Sequence, residues 1–326
     1  MATIASVRAK LMRSALVGAL AVLRRTGGAQ TPGPDLPPEQ IEAYFLRAHE
    51  RMERLGELLI PGTRLAWHEV PAMGTVGGEW VEDDNVAADD RVVLHLHGGA
   101  YLMGSPRTHR GLAASLSRTS RSTVVVPDYR LAPAHVFPAA LEDAMGAYRW
   151  LVEERGFRPS RIAVTGDSAG GGLGVALLVR LRDEGFELPA CYAGMSPWVD
   201  LAGTGPSMAD LDELDPWLIA DMMLPVARLY AGETPLDDPL VSPLYADLSG
   251  LPPMLVHAGS HEILLDDARR LVDRAREAGV DASLGVFDEM WHVFQAFPGL
   301  PETRRSLREI GAFIRRCTVP PERLAA

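Results

Sequence analysis

Lysine is nearly missing from this chain: Lys10 is the only one in 326 residues, and arginine carries almost all of the positive charge. That imbalance reads as genome composition rather than function. The formal net charge of −11 argues against nucleic-acid binding, and no basic stripe is present to supply it. Cysteine is scarce as well. Cys191 and Cys317, with no spacing pattern, form neither a disulfide framework nor a metal site, and a reducing cytoplasm is compatible with both. Near the N-terminus the apolar run Ala15 to Leu23 is too short to span a bilayer. Arg24-Arg25 pressed against it fits a signal peptide poorly, so a packed or loose helix is favoured over a signal or a membrane-surface helix. No internal repeat or low-complexity tract is evident.

What the chain does contain is alternation. Residues 26–38, rich in glycine and proline, read as a linker, followed by a helix pattern from Glu39 to Leu55. Strand-like segments follow at 65–70 and 78–81, separated by Pro71 and glycines. From Val92 onward, short apolar strands (92–96, 123–127, 162–165, 190–195, 254–257, 282–287) alternate with helical segments (105–118, 139–154, 169–183, 266–278, 301–316). Such alternation predicts an α/β fold with a mostly parallel sheet covered on both faces, and the two early strands predict an antiparallel edge. Residues 199–251 break the rhythm with prolines and helical fragments, and a cap is favoured there over a long structured connection.

At the third of the apolar runs lies Gly166-Asp167-Ser168-Ala169-Gly170, a G-x-S-x-G between strand and helix. That context makes it a nucleophile elbow, in which glycines permit a cramped turn that presents the serine hydroxyl. Such a serine needs an acid and then a histidine, in that chain order, at the ends of later strands. His292, in the loop after the 282–287 strand, is the best-placed base. Glu262 comes soonest after the 254–257 strand. Asp266 is the second candidate, although Asp266 and Asp267 also suit the first turn of the next helix. Oxyanion donors are expected from Ala169 and from the glycine turn at Gly98 and Gly99, which follows a strand directly. His95 and His97 share a strand face, but without a third ligand pattern they do not make a metal site. Tyr101, Trp198, Trp217, Met222 and Met223 are candidate walls of an apolar substrate pocket, with core packing as the competing reading.

Together these segments resemble the bacterial hormone-sensitive-lipase-like esterases of the α/β-hydrolase superfamily. The resemblance is carried by His97-Gly98-Gly99-Ala100-Tyr101, Asp128-Tyr129-Arg130-Leu131-Ala132-Pro133, Phe137-Pro138-Ala139-Ala140, the Ser168 pentapeptide, Ser196-Pro197-Trp198, Asp238-Pro239 with Ser242-Pro243, and Met290-Trp291-His292-Val293-Phe294. It runs from roughly residue 60 to the end. It implies an eight-stranded α/β-hydrolase core over 61–326, a cap built from the helical segment 1–60 and the 199–251 insertion, and neither cofactor nor metal. Two departures stand out. Glu262 occupies the first position of the family's D-x-L-x-D run, with Asp266 at the second, and Ala100 replaces a third glycine.

The expected activity is hydrolysis of short- to medium-chain carboxylic esters through an acyl-enzyme. A lactone or amide hydrolase is the alternative within enzymes, and a non-catalytic small-molecule-binding relative the alternative outside them. The presence of His292 weighs against the last. The expected partner is a small ester. A homodimer through the 282–287 strand and a membrane contact of the N-terminus are left open.

Overall fold

The computed structural model describes residues 5–25, 37–56, 65–83 and 91–318. Two helices lead, α1 (Val7–Arg25) and α2 (Pro38–Gly56), followed by an antiparallel hairpin of β1 (Leu65–Met73) and β2 (Val76–Asp83). Then come β3 (Val92–Leu96), α3 (Pro106–Ser120), β4 (Thr123–Pro127), α4 (Ala139–Arg149), β5 (Ile162–Asp167), α5 (Ser168–Asp183) and β6 (Cys191–Met195). The chain closes with α6 (Ser207–Asp210), α7 (Ala220–Ala231), β7 (Met254–Gly259), α8 (Leu265–Glu277), β8 (Ala282–Phe287) and α9 (Pro301–Cys317). All eight strands form one sheet in the order β1-β2-β4-β3-β5-β6-β7-β8. Pairing is antiparallel through β2 and β4 and parallel from there to β8.

Strand periodicity divides the core. Val92, Leu94 and Leu96 of β3, Ile162 and Val164 of β5, and Tyr192 of β6 face the layer formed by α4, α5 and α8. The intervening Val93, Ala163, Cys191 and Ala193 face α3 and α9, where Leu112, Leu116, Ile310 and Ile314 cover them. Side chains alternate across a strand, so a strand buried on both faces reads as an unbroken apolar run. α3 starts sharply because Ser105 caps it: the Ser105 hydroxyl accepts the Thr108 N–H at 3.3 Å, and the Thr108 hydroxyl accepts the Ser105 N–H at 3.0 Å.

Three local differences from the sequence expectations have physical causes. Pro71 lies within β1 rather than after it, because β1 is the sheet edge and its register shifts between Val70 and Met73, where no ladder N–H is required. The helix expected over 139–154 widens after Arg149 into a π-turn, Trp150–Glu154, closed by the Arg155 N–H on the Trp150 carbonyl at 3.0 Å. That turn sets Trp150 edge-on to Trp80, with ring centroids 6.3 Å apart. The expected linker lies outside the described residues except for Pro37 and Pro38, and Pro38 opens α2.

The 199–251 stretch lies between β6 and β7 and carries α6 and α7, with α2 packed against α7 and α3. Elsewhere, Ala5 just before α1 and Ala9 within it join Phe287, Met290, Trp291 and Phe294 in a separate apolar cluster. Glu302 ties this end down by accepting the Ser6 N–H at 2.6 Å and the Ser6 hydroxyl at 3.0 Å.

Candidate active site

Ser168 stands where β5 meets α5, with a positive φ of 52° that a serine adopts only under constraint. The constraint is tight backbone packing. A Cβ on Gly166 would overlap the Gly170 carbonyl, and one on Gly170 would overlap the carbonyl oxygens of Leu96 and His97. Only glycine lets the β5–α5 turn press this closely on β3.

His292 Nε2 lies 2.9 Å from Ser168 Oγ. Behind it, Nδ1 is 3.5 Å from Glu262 Oε2, an ion-pair separation longer than a closed hydrogen bond. Both groups are withdrawn from water, Glu262 at 0% and His292 at 2% exposure. The three side chains that the sequence points to in the order Ser, acid, His therefore converge. Asp266 does not join them. It sits in the first turn of α8, where Oδ2 accepts the Ser207 N–H at 2.8 Å and Oδ1 pairs with Arg269 at 3.0 Å. Burial opposes its ionisation, but the Ser207 N–H and Arg269 together hold its carboxyl below the usual value.

The two glycines expected as oxyanion donors separate. The Gly98 N–H donates to Asp167 Oδ1 at 3.1 Å and is already committed inside the protein. Gly98 is therefore removed from the donor set. The N–H groups of Gly99, Ala100 and Ala169 have no acceptor among the described residues. Ala169 lies in the first turn of α5, where N–H groups have no partner within the helix. Asp167 is itself the centre of a buried cluster, with His95 Nε2 at 3.4 Å and His109 Nε2 at 3.5 Å. Burial disfavours its charge, yet His109 and His95 hold its carboxyl well below the usual range. Burial also tends to discharge His109, but Asp167 outweighs it and raises the imidazole. For His97 the balance falls the other way: burial, with the His109 charge beside it, outweighs the Gly98 carbonyl and Asp167 and pushes the imidazole down to about 3. Among the described residues no group of His, Cys, Asp or Glu is arranged to hold a metal ion.

One contributor was not legible from chain order. Ser196, fully buried, donates its hydroxyl to Glu262 Oε2 at 2.7 Å and accepts the Val293 N–H at 3.1 Å. It thus links the acid to the residue after His292, at the cost of a strained φ of 48°. Its only sequence signal is membership of Ser196-Pro197-Trp198.

The expected pocket walls scatter. Tyr101 is 2% exposed and stacks on Tyr230 at 3.6 Å between centroids, and Trp198 is 1% exposed. Both are core side chains, because so little of either is accessible that a substrate cannot touch them. Trp217, 48% exposed, meets Phe297 edge-on. Met222 and Met223 are buried on α7. Met223 also lines a cavity of about 760 Å³ with Ile41, Leu201, Met208 and Leu224, where α2 and the 199–251 stretch meet.

Relatives share this arrangement of elements. Residues 93–296 match the alpha/beta hydrolase fold family. The chain is 42% identical over 281 residues to an acetyl-hydrolase of Streptomyces hygroscopicus, covering 86% of this chain and 91% of that protein. It is 36% identical over 229 residues to an esterase of Acinetobacter venetianus, covering 70% and 75% respectively. An esterase structure from the bacterial hormone-sensitive lipase family aligns with a TM-score of 0.83 at 40% identity, covering 97% of this chain and all of that one. The chain belongs to the α/β-hydrolase family, in its bacterial hormone-sensitive-lipase-like branch.

Proposed function

We propose that this protein is a serine carboxylesterase acting on short- to medium-chain esters. The observation that carries the reading is the 2.9 Å approach of His292 Nε2 to Ser168 Oγ, with Glu262 behind the imidazole. His292 takes the hydroxyl proton as Ser168 attacks the ester carbonyl, and Glu262 fixes the tautomer and favours the imidazolium. The Gly99, Ala100 and Ala169 N–H groups face the tetrahedral oxyanion. His292 then gives its proton to the leaving alcohol. Water, deprotonated by His292, attacks the acyl-enzyme and restores Ser168.

Relatives named acetyl-hydrolase and esterase support the ester class and a small acyl group. We assign α1, α2 and the 199–251 stretch to a cap, with the 760 Å³ cavity as a place for the apolar part of a substrate. Val286, 38% exposed on the outer strand β8, supports pairing of that edge in a homodimer. Two free thiols suit a reducing cytoplasm, and none of the described helices is long and apolar enough to cross a membrane. The test is hydrolysis of p-nitrophenyl acetate and butyrate. Wild type turns both over, and Ser168→Ala loses at least about 10⁴-fold in kcat. A wild type that binds these esters without hydrolysing them defeats the reading.

A further inference from the structure

A carboxylate from the 199–251 stretch reaches the loop that carries Glu262. Asp215, 7% exposed, lies in the turn between α6 and α7. Its Oδ1 accepts the N–H groups of Trp217 at 2.9 Å and Leu218 at 3.0 Å, which closes its own turn. Its Oδ2 points out of that turn and accepts the N–H of Ile263 at 3.0 Å. Ile263 directly follows Glu262. From the other side, the Ser207 hydroxyl donates to the Ile263 carbonyl at 2.7 Å. The residue after the acid is thus held at both its N–H and its C=O by side chains of the same stretch.

We propose that Asp215 is a positioning residue for ester hydrolysis: it fixes the Glu262 loop through Ile263. The proposal rests on the reading of Ser168, Glu262 and His292 as the hydrolytic site. Glu262 needs such help. Its Oε2 already accepts the Ser196 hydroxyl and stands 3.5 Å from Nδ1, so a small loop displacement separates acid and base. Burial pushes the Asp215 carboxyl up to about 6, and His292 is the foremost group favouring its charged form. The device also couples chemistry to the cap, because a displaced cap releases Ile263.

Steady-state hydrolysis of p-nitrophenyl acetate by the full chain tests this with Asp215→Asn, Ser207→Ala and Ser168→Ala. Asparagine is the same size but has one acceptor oxygen and no charge. The expected result for Asp215→Asn is a roughly tenfold to hundredfold fall in kcat with KM within about twofold of wild type. A fall in kcat without a matching rise in KM separates lost positioning from lost substrate binding. Ser207→Ala removes the second tether, at the Ile263 carbonyl, and lowers kcat in the same way. The proposal is overturned if Asp215→Asn keeps wild-type kcat. It is equally overturned if KM rises by as much as kcat falls, which is lost substrate binding instead. Where thermal unfolding shows that Asp215→Asn has not folded, Asp215→Ser, whose hydroxyl still accepts an N–H, is read by the same two outcomes. Absence of wild-type hydrolysis, or its survival in Ser168→Ala, defeats the esterase reading instead.

Discussion

Replacing Glu262 by glutamine keeps the side-chain shape and removes one charge at a site with no access to water. The amide cannot act as an anion toward His292 Nδ1, and its N–H₂ favours the tautomer with Nδ1 unprotonated. Nε2 then carries the proton and is unable to take one from Ser168 Oγ, 2.9 Å away. Loss of the productive tautomer in a comparable triad costs about 10⁴-fold in kcat, or about 5–6 kcal/mol of barrier. Asp266→Asn supplies the contrast. Its Arg269 partner is half exposed, so that ion pair is worth about 0–1 kcal/mol, and its place in the first turn of α8 adds about 0.3–1 kcal/mol. Asparagine still accepts the Ser207 N–H, so kcat stays within about twofold of wild type and only stability falls. Because the folded-state carboxyl of Asp266 is depressed, its stabilisation is present above the unfolded pKa and lost as pH falls through the folded one. Wild type and Asp266→Asn therefore converge in melting temperature toward acid. Initial rates on p-nitrophenyl acetate with thermal melts of both variants are the assay. A greater loss of kcat in Asp266→Asn than in Glu262→Gln refutes the reasoning.

Two further outcomes are expected. Ser196→Ala removes the link between Glu262 and Val293, so kcat falls on the order of tenfold with KM nearly unchanged; an equal change in both parameters points to substrate binding instead. Asp267 is fully buried, and burial together with the Asp200 charge raises its carboxyl to about 7, although its Oδ2 accepts the Val199 and Asp200 N–H groups at 2.9 Å each. With the folded value above the unfolded one, its contribution is complete at low pH and is lost as pH rises from about 4 through about 7. Asp267→Asn keeps an acceptor without the charge. Its stability relative to wild type should rise by about 1–3 kcal/mol between about pH 5 and about pH 8, as measured by chemical denaturation. A constant difference across that range contradicts the assignment.

The sheet was legible because its central strands are buried on both faces. Val92 to Leu96, Thr123 to Pro127 and Ile162 to Thr165 show as short apolar runs between helical segments. The Ser168–Glu262–His292 constellation was legible for a related reason: each side chain follows a strand, and the chain order limits the choices. What escaped does not follow that rule. Asp215 reaches the acid loop from an excursion between strands, and Ser196 acts through a hydroxyl whose role its Ser196-Pro197-Trp198 segment does not reveal. The direction of the Gly98 N–H depends on where Asp167 comes to rest, a tertiary fact that a glycine motif does not contain. Tyr101 and Trp198 fail as pocket walls because an apolar side chain suits a core and a pocket alike, and only packing separates them.

Reaction of the protein with a sulfonyl fluoride, followed by peptide mass spectrometry and residual esterase assay, tests the central claim that Ser168 is the activated nucleophile. One sulfonyl group should appear per chain, on the peptide carrying Ser168, with hydrolysis lost in proportion. His292→Ala should slow the labelling, because the 2.9 Å contact that activates the hydroxyl is gone. Labelling at another residue, or full esterase activity in a chain modified at Ser168, contradicts the account.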